Sequence, residues 1–158
     1  MAESHPHFLA EAIRLSAEAL HGGSGGPFGA VVVKDNVIVG RGGNRVLSSN
    51  DPTAHAEVVA IREAAQRLGT FDLSGCTLYS SCEPCPMCLG AIYWSRIGTL
   101  YYANSRHEAA AIGFDDAFFY EELAKAPAQR QLLSYHWPSE AALGPFREWA
   151  AKTDRQNY

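Results

Sequence analysis

The sequence predicts a single α/β domain over residues 1–158, a three-layer α/β/α sandwich with a central mixed sheet flanked by helices. Three observations carry that expectation. Segments with helical and strand-like apolar patterns alternate along the chain. Some strand candidates are apolar at consecutive positions, as strands covered on both faces must be. The third is size: 158 residues, 47% hydrophobic and 19% charged, suit one globular domain that buries roughly 70% of the surface its unfolded chain exposes.

Residues 7–20 read as an amphipathic helix, with Phe8, Ala12, Leu15 and Ala19 on one face and Leu9, Ile13 and Leu20 beside them. Gly22-Gly23-Ser24-Gly25-Gly26-Pro27 stops it and is expected as a mobile connection. It is no phosphate loop, because a strand follows and the Lys-Ser/Thr pair is missing. Residues 30–33 and 37–39 are β-branched runs split by Lys34-Asp35-Asn36, a hairpin signal. Asp51-Pro52-Thr53 is expected to open a second helix running through Val58, Ile61 and Ala65 to Leu68, with Gly69 as its stop. A buried strand over 76–80, a helix over 86–94 and a strand over 99–102 follow. Helical stretches are expected over 108–112, 118–125 and 146–152, with a short run at 132–136.

Thirteen Lys and Arg against 17 Asp and Glu leave a net charge of −4, and no two basic residues are adjacent. That argues against general nucleic-acid affinity, which needs clustered cations to displace counterions. No apolar run approaches the ~20 residues of a membrane span. Met1-Ala2-Glu3-Ser4-His5 lacks the basic start and apolar stretch of a signal peptide, so the cytoplasm is the expected compartment. The four cysteines, at 76, 82, 85 and 88, then point to metal binding or catalysis ahead of disulfides.

His55-Ala56-Glu57 and Pro84-Cys85-Pro86-Met87-Cys88 carry the chemistry. Each segment opens a helix. Two cysteines three apart in a first helical turn can aim at one point, where exposed N–H groups favour thiolate. A histidine from a neighbouring first turn supplies a third donor. Three protein ligands on Zn²⁺ leave one tetrahedral position for water, the mark of a catalytic site. Glu57 is placed to carry protons beside the metal without binding it. The H-x-E and P-C-x-x-C pair is the residue pattern of zinc nucleobase deaminases. A redox Cys-x-x-Cys would leave His55 and Glu57 without a role. An iron–sulfur reading of Cys82, Cys85 and Cys88 lacks a fourth cysteine downstream. A structural zinc would have to recruit Cys82 or Cys76. Cys76 is expected in the core, and Cys82 behind the metal. His5, His7, His21, His107 and His136 lack ligand-like spacing and are expected at the surface or in packing.

Over nearly its whole length the chain resembles the cytidine deaminase superfamily and, within it, the small bacterial guanine deaminases. The shared motifs are Pro52-Thr53-Ala54-His55-Ala56-Glu57 and Ser81-Cys82-Glu83-Pro84-Cys85-Pro86-Met87-Cys88. Narrower likeness lies in Leu89-Gly90-Ala91-Ile92-Tyr93-Trp94, in Ala111-Ile112-Gly113-Phe114-Asp115-Asp116, in Phe119-Tyr120 and in a chain ending at Tyr158. The resemblance implies a cytidine deaminase-like fold, a bound zinc ion on His55, Cys85 and Cys88, and hydrolysis of guanine to xanthine and ammonia. Glu57 would be the proton carrier and Asp116 a second one. Asn44 would hydrogen-bond the purine, Phe28 and Trp94 would flank it, and Ala56 would contribute to binding. Tyr158 would close the pocket of a homodimer whose C-terminal segment, about 130–158, is exchanged between subunits. Guanosine and an adenosine in tRNA are the competing substrates. Asp115, Asp116, Glu121 and Glu122 against scattered Lys125 and Arg130 favour a small neutral base.

Overall fold

Residues 6–158 are described by a computed structural model of the chain. His5 and the start of the chain lie outside the described residues. The amphipathic pattern gives α1 (Pro6–His21), which buries Phe8, Ala12, Leu15 and Ala19. The hairpin is β1 (Gly29–Lys34) and β2 (Val37–Gly43), antiparallel. It turns through Asp35 and Asn36 with φ of 48° and 61°, the two-residue left-handed turn that matches strand twist. The register shifts between Val32 and Val33, a bulge in the pairing. Then follow α2 (Val46–Ser49), α3 (Ala56–Leu68), β3 (Thr77–Cys82), α4 (Pro86–Trp94), β4 (Thr99–Asn104), α5 (Arg106–Ala111), α6 (Asp116–Ala124), a 3-10 turn at Pro127–Gln129, and α7 (Glu140–Ala151).

The sheet order is β2-β1-β3-β4, with β1 and β3 antiparallel and β3 and β4 parallel. The sheet is therefore mixed, as expected. Alternate β1 residues serve opposite layers: Ala30 and Val32 join Ala56, Ala60 and Ala64 of α3 and Ile92 of α4. Val31 and Val33 join Phe8 and Leu15 of α1. Burying each such valine is worth about 1.5–3 kcal/mol, so the run tolerates no polar residue on either face. Cys76 takes its expected place in the core. Gly42 brings α3 onto the sheet, since a Cβ there would lie 2.1 Å from the Ala56 carbonyl oxygen. The alanine stripe of α3 thus rests directly on backbone.

Several boundaries differ from expectation. Asp51 does not cap α3: its Oδ1 accepts from the Thr53 N–H at 2.8 Å and from the Thr53 hydroxyl at 2.7 Å, an Asx turn. The helix begins at Ala56, with His55 at the N-cap. α5 starts before residue 108 because Ser105 and Glu108 form a reciprocal capping box. α7 runs from Glu140 through Pro145 to Ala151, so it begins before the expected stretch of 146–152. The run at 132–136 forms no regular element. The chain divides into two compact units, one through Tyr120 and one over Glu121–Tyr158. Among the described residues, no helix is long and apolar enough to cross a membrane.

Candidate active site

Two helix N-termini build the centre. His55 caps α3 in an extended conformation, Cys85 caps α4, and Cys88 sits in the first turn of α4. His55 Nδ1 lies 3.5 Å from both the Cys85 and the Cys88 Sγ. The three donor atoms all fall within 4.8 Å of one another. Among the described residues this is the one His/Cys/Asp/Glu group that could hold a metal ion; neither Cys76 nor Cys82 joins it. One nitrogen and two sulfurs suit zinc, and they do not make a closed four-ligand structural site. The iron–sulfur and four-ligand structural-zinc alternatives find no fourth donor in this geometry.

The three donors are tightly coupled by hydrogen bonding. A hydrogen bond from the Cys88 thiol, supported by His55, holds Cys85 down to about 4. The same bond, with burial, pushes Cys88 well above the ordinary thiol range. The hydrogen bond to Cys85 raises His55. Metal binding at these donors requires Cys88 and His55 to give up the protons that these contacts hold. Cys82 behaves differently. Burial lifts its thiol to about 12, and its Sγ faces the Ser105 carbonyl at 3.7 Å. It is a buried residue outside the His55, Cys85 and Cys88 group.

Glu57, in the first turn of α3, is buried, and Oε1 accepts a hydrogen bond from the Ser80 hydroxyl at 3.2 Å. Burial raises its pKa above the ordinary carboxylate range, which suits a group that must both take and give a proton. Asp116 opens α6, and burial, with the Cys85 thiolate adding to it, likewise raises its pKa.

A cavity of about 560 Å³ opens over this centre, with Phe28, Asn44, His55, Glu57, Cys85 and Asp116 among its walls. Phe28 meets Phe114 edge-on at 4.7 Å between ring centroids. Asn44 is buried directly after β2. Its N–H donates to the Phe28 carbonyl at 3.0 Å, and its Oδ1 accepts from the Val46 N–H at 3.0 Å. Oδ1 is thus engaged within the chain, and Asn44 is one of the cavity walls.

Other sequence-derived candidates lie elsewhere. Trp94, the last residue of α4, is 64% exposed and is not among the cavity walls. Ala56, the first residue of α3, is fully buried. Tyr158 belongs to the second unit and is 68% exposed. His7, His21, His107 and His136 are exposed. The sequence reading gave no role to Ser80, Glu83, Phe114 or Tyr120. Glu83 and Phe114 line the cavity, and both stand inside quoted motifs. The Tyr120 hydroxyl donates to the Pro84 carbonyl at 2.7 Å, beside the Cys85 ligand. The Arg106 guanidinium lies 4.5 Å from the centre of the Tyr120 ring. Ser80 carries no sequence signal, since a serine in a buried strand reads as packing.

Comparison with known proteins agrees with this site. Residues 2–104 match the cytidine and deoxycytidylate deaminase zinc-binding region. The chain is 48% identical to the guanine deaminase of Bacillus subtilis (strain 168) over 155 residues, 98% of this chain and 99% of that one. A crystal structure of guanine deaminase from Bacillus subtilis superposes with a TM-score of 0.94, covering 99% of both chains. A guanine deaminase structure from Nitrosomonas europaea matches at 33% identity and TM-score 0.67 over 73% of this chain and 68% of that one. A tRNA-specific adenosine deaminase of Agrobacterium fabrum (strain C58) is 44% identical over 93 residues, 59% of this chain and 61% of that one. The chain therefore belongs to the cytidine and deoxycytidylate deaminase family and has its fold.

Proposed function

We propose that this protein hydrolyses guanine to xanthine and ammonia. The observation that carries the reading is one nitrogen and two sulfurs within 4.8 Å of one another, set in a cavity whose walls include Glu57, Asp116 and Asn44. Likeness over almost the full chain to a guanine deaminase supports it. The tRNA-specific relative shares only 59% of this chain.

His55, Cys85 and Cys88 hold the zinc ion, which when bound supplies the Lewis acidity that makes water a nucleophile near neutral pH. Glu57, steadied by Ser80, takes a proton from the attacking water and passes it to ring N3 as the oxygen adds at C2. The resulting tetrahedral carbon carries both OH and NH₂. Glu57 then moves the hydroxyl proton to the amine, and Asp116 assists on the amine side, so that ammonia leaves. Asn44 donates from its amide to an acceptor on the base, and Phe28 lies against the ring. Trp94, Ala56 and Tyr158 are assigned to the binding surface by resemblance to the family.

The cavity walls include Glu57, Glu83 and Asp116 but no Lys or Arg, which favours an uncharged base over a phosphorylated nucleotide or RNA. Guanosine stays the second reading, because about 560 Å³ also admits a ribose. We further propose a cytoplasmic homodimer in which residues 130–158 close the partner's cavity, with Tyr158 at its rim. In the single chain Leu132, Leu133, Tyr135, Trp137 and Phe146 are exposed, Trp137 at 89%. Exposed apolar groups in such number mark an interaction surface.

An ammonia-release assay with guanine, guanosine, adenine, cytosine, cytidine and tRNA tests the substrate. Guanine should be turned over fastest; preference for cytidine or tRNA would overturn the assignment. Refolding a mixture of Glu57→Gln and Tyr158→Ala chains tests the exchange. Activity above either variant alone is expected, and no gain counts against it.

A further inference from the structure

We propose that Gly25 is a positioning residue that sets base recognition, because the Ser24-Gly25-Gly26 segment packs on Asn44 and fixes the direction of its amide. The inference rests on the purine site proposed above. The glycine run, expected as a mobile connection, is tied down. The Ser24 carbonyl accepts from the N–H groups of Leu47 and Ser48, both at 3.1 Å. The Ser24 hydroxyl donates to the Asn44 carbonyl at 2.9 Å.

Gly23 and Gly25 do different work. Gly23 has φ +71° and open space around it, so it serves the backbone turn. Gly25 has no such φ but is buried, and a Cβ there would lie 2.0 Å from Asn44 Oδ1, 2.8 Å from its Cγ and 2.9 Å from its carbonyl oxygen. No side chain fits beside Asn44 in its present rotamer. The absent methyl group is the space that the Asn44 carboxamide occupies. Once forced out, Oδ1 loses the Val46 N–H, and the NH₂ group turns away from the cavity. Gly26 works on the next wall, where a Cβ would lie 2.8 Å from Phe114 Cζ and 3.0 Å from Phe28 Cε2.

A double-mutant cycle of Gly25→Ala with Asn44→Ala tests this. Steady-state ammonia release is measured with whichever heterocycle the wild-type protein turns over fastest, so failure of guanine as substrate leaves the test intact. Gly25→Ala should raise KM about 10- to 100-fold, the scale of a lost hydrogen bond, with kcat within about threefold and zinc content unchanged. In the Asn44→Ala background it should change KM by less than about threefold. Gly23→Asn, which suits a left-handed backbone, should leave KM unchanged. An equal loss in both backgrounds, a loss in kcat or zinc instead of KM, or no loss at all overturns the proposal. If Gly25→Ala does not fold, Ser24→Ala enters the same cycle. It should raise KM about threefold only where Asn44 is present, and a rise that persists without Asn44 overturns the proposal equally.

Discussion

At the metal end of the cavity, each donor hangs from the first turn of a helix: His55 on α3, Cys85 and Cys88 on α4. At the base-reading wall, Asn44 sits in a loop after β2 and takes its direction from Val46, Ser24 and the space left by Gly25. The first region is specified by local spacing on rigid elements. The second is specified by close approach between segments about twenty residues apart in sequence. Chemistry shared across a family is therefore built where backbone geometry alone aims the side chains. Substrate choice is built where small changes in packing can redirect one amide.

Substitutions at the metal end should have the largest effects. His55→Ala or Cys88→Ala should bind far less than one zinc per chain and lose activity by about 10⁴-fold or more, with reduced thermal stability. Metal analysis and a melting curve on one preparation check this, and stoichiometric zinc in either variant would count against the ligand set. Glu57→Gln should keep its zinc and lower kcat by about 10²–10⁴-fold. Asp116→Asn should cost less, about 10- to 100-fold in kcat. Burial holds Asp116 above the usual aspartate value, so its carboxylate form is lost at higher pH than in a free aspartate. A contribution from that form fades as pH falls through the raised value, and the Asn variant should lack this part of the acid limb in a kcat profile. The base-reading substitutions, Asn44→Ala and Gly25→Ala, should act mainly on KM.

The smallest effect lies away from the cavity, at Glu122. Its carboxylate accepts from Lys125 and from the Gln131 N–H at 2.7 Å. The Lys125 hydrogen bond, then that of Gln131, holds its pKa below the ordinary glutamate value. A depressed carboxylate stabilises the fold above its unfolded pKa and loses that contribution as pH falls through the folded value. Glu122→Gln should therefore speed amide exchange over residues 121–131 at neutral pH and leave it unchanged near pH 2.

The same contrast explains what the sequence made legible. His55, Glu57, Cys85 and Cys88 stand in two short motifs whose side-chain chemistry and spacing state their purpose. The β1 valines show their two-sided burial by being consecutive. The start of α3 was misplaced because Asp51-Pro52-Thr53 mimics a capped helix start while forming an Asx turn instead. Gly25 looked like loop filler because a missing Cβ has meaning only beside Asn44, which local pattern cannot place. Trp94 lies exposed at the end of α4 in the single chain, since helical phase fixes a direction but not which neighbour it meets. In 121–158 little periodicity separates core from surface, and the apolar residues 132–137 form no regular element.

X-ray absorption at the zinc edge of the wild-type protein bears most directly on the three-donor centre. Two sulfur neighbours and one imidazole nitrogen per zinc are expected, unchanged in Cys82→Ala. Three sulfur neighbours, or a spectrum altered by Cys82→Ala, would contradict the account.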